Sequence, residues 1–145
     1  MAALTADRET PIRQIGILPP LPVAASTKIY AGSIVAVFTA AAPSDHGGAR
    51  PAADAANIKV IGVAELQADN SGGAFWAITV DVIAPVTARF DAVETGYLAP
   101  GSILYVVDDH TVGDATGTNS VKAGVCIQRI SSTEVWIYIS PSATY

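Results

Sequence analysis

The chain writes one phrase twice. "KIYAGSIVAVF", Lys28 to Phe38, and "YLAPGSILYVVDD", Tyr97 to Asp109, each pass from a tyrosine through a short Ala/Pro/Gly step into Gly-Ser-Ile and then into β-branched and aromatic residues. The echo continues downstream. Gly32 and Gly101 open the first strand of each set, Lys59-x-x-Gly62-Val63 and Lys122-x-Gly124-Val125 mark the second, and Trp76 and Trp136 fall in the third. A chain of 145 residues that repeats itself in this way predicts two similar units closing around one core. The spacing between matched positions shrinks along the chain, so the two halves differ in loop length.

The repeated runs read as strands. "IKVIGVAEL" and "VKAGVCIQRI" follow polar loops, and "FWAITVDVIAPVTARF" and "EVWIYIS" close each set. In "WAITVDV" the alternation puts Trp76, Ile78, Val80 and Val82 on one face. "GSILYVVDD" has apolar residues in both phases and is expected to be covered on both faces. Only "RPAADAAN" has the composition of a helical turn or two. The predicted fold is all-β: a small barrel or sandwich built from a duplicated three-strand unit, with an extended N-terminal arm.

Residues 1–27 form that arm, and 28–145 the barrel-like domain. Pro11, Pro19, Pro20 and Pro22 exclude helix and interior strand. Ile12, Ile15, Ile17, Leu18 and Leu21 are nevertheless too apolar for an idle tail, so the arm is expected to lie on something. At the other end of the chain, aligning Trp76, Ile78 and Val80 with Val135, Ile137 and Ile139 keeps an apolar face inward. That register turns Trp136 and Tyr138 outward, as a subunit contact or beneath a covering loop.

Composition excludes several functions. Net charge is -5, and the eight Lys and Arg are scattered, which argues against nucleic acid as a partner. Low charge with half of the residues hydrophobic suits a subunit that expects neighbours. The start has no basic segment leading into an apolar one, and the longest apolar stretch, Ala31 to Pro43, is too short to cross a bilayer, so no membrane partner is expected. The lone Cys126 reads as a small buried hydrophobe. Asp108-Asp109-His110, with Asp45-His46 as a symmetric partner, could supply metal ligands, but no further ligand sits at a diagnostic spacing. No nucleophile elbow, phosphate loop or dinucleotide fingerprint is present, so no catalytic residue, cofactor or metal is assigned.

In order, "AGSIVAV", "IKVIGVAEL", "WAITVDVIAPVTARF", "LAPGSILYVVDD", "GTNSVKAGVCIQ" and "TEVWIYIS" resemble the small decoration, or cement, proteins of tailed-bacteriophage heads. The likeness covers about residues 28 to 140 and rests on the order and spacing of its elements. It implies an all-β subunit, often trimeric, that sits on the outer capsid surface at threefold or quasi-threefold positions and braces the expanded shell. The implied partners are the major capsid protein and other copies of the chain, one of which the arm is expected to contact through Pro11, Ile12, Ile15, Ile17, Leu18, Pro19, Pro20 and Leu21; the implied place is the virion, after synthesis in the host cytoplasm. The proline-rich arm and the long loop from Thr39 to Asn57 depart from the family pattern. A tail or baseplate component and a carbohydrate-binding β-sandwich, with Trp76, Trp136 and Tyr138 as stacking platforms, are the competing readings.

Overall fold

A computed structural model describes residues 2–39 and 47–141, with 13–17 as backbone alone. Among the described residues there is no helix, and so none long and apolar enough to cross a membrane. The strands in chain order are β1 (Ile12–Ile17), β2 (Leu21–Pro22), β3 (Thr27–Ile29), β4 (Ile34–Phe38), β5 (Ala49–Pro51), β6 (Ile58–Ala64) and β7 (Ala68–Asn70). They continue as β8 (Thr79–Val80), β9 (Val82–Val93), β10 (Ile103–Asp108), β11 (Thr111–Gly113), β12 (Lys122–Ser131) and β13 (Glu134–Ile139).

The main sheet has the order β11-β10-β12-β13-β9-β6-β4-β5, which reads the same from either end in terms of the repeat. Each half supplies a short strand, then its first, second and third strands, and the halves meet where β13 pairs with β9. Parallel pairing of β11 with the end of β9 closes β9, β13, β12, β10 and β11 into a five-stranded barrel. The small all-β barrel or sandwich expected from the repeated phrase is therefore the observed fold class, though the barrel is closed by the second repeat and β9 rather than by both repeats around one core.

The repeat extends to individual hydrogen bonds. Gly32 and Gly101 both take positive φ, 82° and 87°, which turns the chain into each first strand. The Ser33 and Ser102 hydroxyls donate to the carbonyls of Tyr30 and Ala99, at 2.8 and 2.6 Å. Gly32 N–H donates to Ala64 O and Gly101 N–H to Cys126 O, and the return bonds run from Ala64 N–H to Ser33 O and from Cys126 N–H to Ser102 O. Val35 faces Gly62 and Leu104 faces Gly124, and a bulge follows at the same step in both ladders. Glycine is required there, because a Cβ on Gly62 would collide with the Ile83 carbonyl and one on Gly124 with that of Tyr138.

These pairings correct the alignment of the third strands. Ala64 pairs with Val82 and Cys126 with Ile137, so Val82, not Ile78, matches Ile137. The tryptophans are not equivalent. Trp76 precedes β8 in a turn, with φ of 76° and 67% exposure, so it shares no inward face with Val80 and Val82. The misleading signal was the loop between second and third strands, which is long in the first repeat and a tight turn between Ser131 and Glu134 in the second. "RPAADAAN" is not helical either: Arg50 and Pro51 end β5, and the Asp54 carboxylate accepts the Thr118 and Asn119 N–H groups, each at 2.8 Å. That long-range clamp overrides a weak local helical preference.

Two apolar clusters result. The larger fills the barrel with Phe90, Leu98, Leu104, Val106, Val112, Cys126, Val135, Ile137 and Ile139, and includes Ile34, Val60, Val63 and Ile83 from the first repeat. The smaller joins Val35, Ile61, Ala64 and Val82 to Val23, Ile29, Ala68 and Val80. Matched residues thus serve different cores: Leu104, Cys126 and Ile137 line the barrel, whereas their counterparts Val35, Ala64 and Val82 line the smaller cluster. β4 is covered on both faces. In β10 only Leu104, Val106 and Asp108 are buried, while Ile103, Tyr105 and Val107 stay half-buried, so the expectation of two covered faces holds for the first repeat and not for the second.

Candidate functional surface

The arm lies on its own body. Pro11 O accepts the Arg89 N–H, Ile12 packs against the barrel core, and β1 pairs antiparallel with β9, Ile15 opposite Val86 and Ile17 opposite Ile83. The side chains of Ile15 and Ile17 lie outside the described residues. Leu18 N–H donates to Val82 O, and Leu18 and Leu21 pack on the smaller cluster, which Val23, fully buried, completes. Main-chain pairing with apolar anchors at alternate positions is how an extended segment adds to a sheet edge. Between these anchored stretches, Pro19 and Pro20 are exposed.

Trp136 and Tyr138 share the face of β13 opposite Val135, Ile137 and Ile139, which belong to the barrel core. Trp136 is only 9% exposed, and the Arg89 guanidinium lies 6.0 Å from its ring centre. Tyr138 is half-buried and stands in a row: Ile103 pairs with Val125, and Val125 with Tyr138. All three are half-buried, and the next outward apolar residue of β12, Ile127, is 51% exposed. Their counterparts in the first repeat, Ile34, Val63 and Ile83, are all buried in the barrel core. Trp76, stacked at 5.3 Å on Phe75, is the exposed aromatic residue that the alternation placed inward; its glycine-rich neighbourhood, Ser71-Gly72-Gly73, was the available signal of a turn.

At one end of the barrel the first residues of the chain meet the turn after β10. His110 Nδ1 lies 2.9 Å from Asp91 Oδ2, and its Nε2 lies 2.9 Å from the carbonyl oxygen of Ala2 and 3.4 Å from Asp108 Oδ1. Leu4 N–H donates to Asp109 Oδ1, and Arg8 Nη1 to Asp91 Oδ2 at 3.1 Å. Burial alone would lower the His110 pKa, but the Ala2 carbonyl, the Asp91 carboxylate and the charges of Asp108 and Asp109 raise it above the usual imidazole value. Burial raises that of Asp109, with the Asp108 charge adding to it. Asp108 Oδ2 is buried without a hydrogen-bond partner.

Asp108, Asp109 and His110 do bring one potential ligand atom each to within 4.8 Å of one another. Both His110 nitrogens, however, face acceptors, which commits the ring to donating rather than to binding a cation. Asp45 and His46, their suggested partners, lie outside the described residues, as do all of residues 40–46 in the Thr39 to Asn57 segment. Cys126 is buried, with Sγ 3.7 Å from Leu98 O, and burial raises its pKa, as befits an inert core thiol.

On the outer rim of the barrel, Arg129 grips Glu94 through two bonds, Nε to Oε2 at 2.7 Å and Nη2 to Oε1 at 2.8 Å, and lies 5.5 Å from the ring centre of Tyr97. With the Leu98 N–H also donating to Glu94, this holds the Glu94 pKa down at about 2. No protein-family model matches the chain, and neither the curated proteins nor the solved structures give a significant match.

Proposed function

We propose that the protein is a structural, non-catalytic component of a virion: a decoration protein that binds the outer surface of a phage capsid and stabilises the expanded head as a homotrimer at threefold or quasi-threefold positions. The observation that carries the reading is the row Ile103, Val125 and Tyr138, three half-buried apolar side chains across adjacent strands of an otherwise closed barrel. The matched row of the first repeat is buried against the barrel core, and a row left half-covered in the second repeat suits burial between copies. The exposed Pro19 and Pro20, between two anchored stretches of the arm, supply a second contact toward the capsid protein. Repetition of such contacts around a shell gives strong binding from individually weak ones.

The test is cosedimentation with expanded heads of the encoding phage that lack the protein, alongside light scattering in solution. Tyr138→Asp places a charge in the row without touching the barrel interior. It should leave the circular dichroism spectrum unchanged, reduce trimer formation and weaken head binding at least tenfold, a cost of about 1.4 kcal/mol per contact. Undiminished head binding by a folded Tyr138→Asp protein would overturn the proposal.

A further inference from the structure

Each ring nitrogen of His110 has an acceptor as its nearest partner, the Asp91 carboxylate at Nδ1 and the Ala2 carbonyl at Nε2, each at 2.9 Å, with the Thr111 hydroxyl farther from Nδ1 at 3.3 Å. A carbonyl oxygen cannot donate, and the same Asp91 oxygen, Oδ2, also accepts from Arg8 Nη1. Neutral imidazole carries one N–H and can satisfy only one of these contacts. The arrangement is complete only with an imidazolium. We propose that His110 is the latch of a pH-sensitive clasp: doubly protonated, it holds residues 2–6 against the turn after β10, and its deprotonation frees that segment while the rest of the arm stays in place.

The carboxylates that face the ring all favour its protonated form. Asp91 comes from β9, Asp108 from the end of β10 and Asp109 from the turn, and among the described residues the cation that balances them is Arg8, from the segment itself. Thr111 Oγ1, 3.3 Å from Nδ1, adds no charge. Removing the imidazolium charge leaves three carboxylates around one guanidinium, with Asp108 Oδ2 already lacking a partner. The one N–H left on the ring serves Asp91, the charged and therefore stronger acceptor, so the Ala2 carbonyl loses its donor; among the described residues, Leu4 N–H to Asp109 then remains to hold the segment's start.

Farther along, the anchors do not depend on His110. Arg8 N–H donates to Ala31 O, Asp7 Oδ1 accepts from Ala31 N–H and Gln67 Nε2, and Thr10 Oγ1 donates to Gly32 O. Release therefore stops at Asp7. A histidine whose folded pKa is raised stabilises the clasp fully below its ordinary pKa of 6.5 and loses that contribution as pH rises through the folded value. The clasp is closed on the acid side and opens on the alkaline side.

The test is a proton-NMR titration of the full chain from about pH 5 to about pH 9, following the His110 ring and the hydrogen-exchange protection of the Leu4 and Arg8 amides. The His110 ring should titrate above 6.5. Leu4 protection should fall through the same transition, by about tenfold for each unit by which the clasp raises the pKa, while Arg8 stays protected. His110→Gln should give low, pH-independent Leu4 protection and identifies the ring resonance by its loss. Asp91→Asn should lower the pKa of the ring. If either variant fails to fold, the wild-type titration still decides: a ring pKa at or below 6.5, or Leu4 protection unchanged through the His110 transition, would overturn the clasp.

Discussion

The two repeats share a hydrogen-bonding plan and differ in what closes them. In the second, Leu104, Cys126 and Ile137 face a barrel that β9 and β11 complete. In the first, the matched Val35, Ala64 and Val82 face a cluster that the arm completes, through Leu18, Leu21 and Val23. The reverse faces differ as well: Ile34, Val63 and Ile83 are buried, whereas Ile103, Val125 and Tyr138 are half-buried. One strand plan can thus serve as barrel wall or as two-sided layer. The residues outside the repeat decide which.

The largest effect tests what the repeats share. Gly62→Ala and Gly124→Ala each drive a methyl group into a backbone carbonyl of the neighbouring strand, and each should cost about 3 kcal/mol in urea unfolding. A large cost at one site and none at the other would break the equivalence of the two bulges.

The next effect separates the closures. Leu104→Ala, inside the barrel, should cost about 3 kcal/mol, and Val23→Ala, beneath the arm, about 2 kcal/mol, because fewer buried methyl groups are removed. The second variant should also raise hydrogen exchange in β2 and β8, which pair beside that cluster, while leaving the barrel amides protected. Uniform loosening by Val23→Ala would mean that the two clusters behave as one.

The smallest effect concerns the barrel rim, where the second repeat has an ion pair. Glu94 titrates at about 2 against an ordinary 4.5. A lowered carboxylate pKa contributes stability that is present above 4.5 and is lost as pH falls toward 2. Glu94→Gln should therefore narrow the difference in melting temperature between neutral and acidic solution, with the change confined to that window. A Glu94→Gln protein with the wild-type acid dependence would remove the rim from the account.

Much of the fold was legible because its signals are local. Glycine before Ser33 and Ser102 announces a positive φ, and glycine at 62 and 124 announces a close approach, so the repeat could be read from those residues. Trp76 misled because a tryptophan in an alternating run resembles an inward strand residue, and only a fold can show the chain turning there. The prolines of the arm correctly excluded helix, but they carry no information about which edge β1 would join. The candidate surfaces were less legible. Tyr138 was placed outward by register, while its neighbours Ile103 and Val125 come from other strands. The His110 contacts join Ala2, Asp91 and the β10 turn, separations that no local pattern spans.

By itself, then, the sequence determined an all-β chain with a repeated, glycine-marked unit, because backbone dihedral preference and side-chain alternation act over a few residues. Only the tertiary structure decided that one unit closes as a barrel, that the arm closes the other, and that the ends of β9 and β10 gather three aspartates and a histidine around the start of the chain. Those outcomes depend on loop lengths and on long-range pairing, in which each contact is chosen by the sum of all the others.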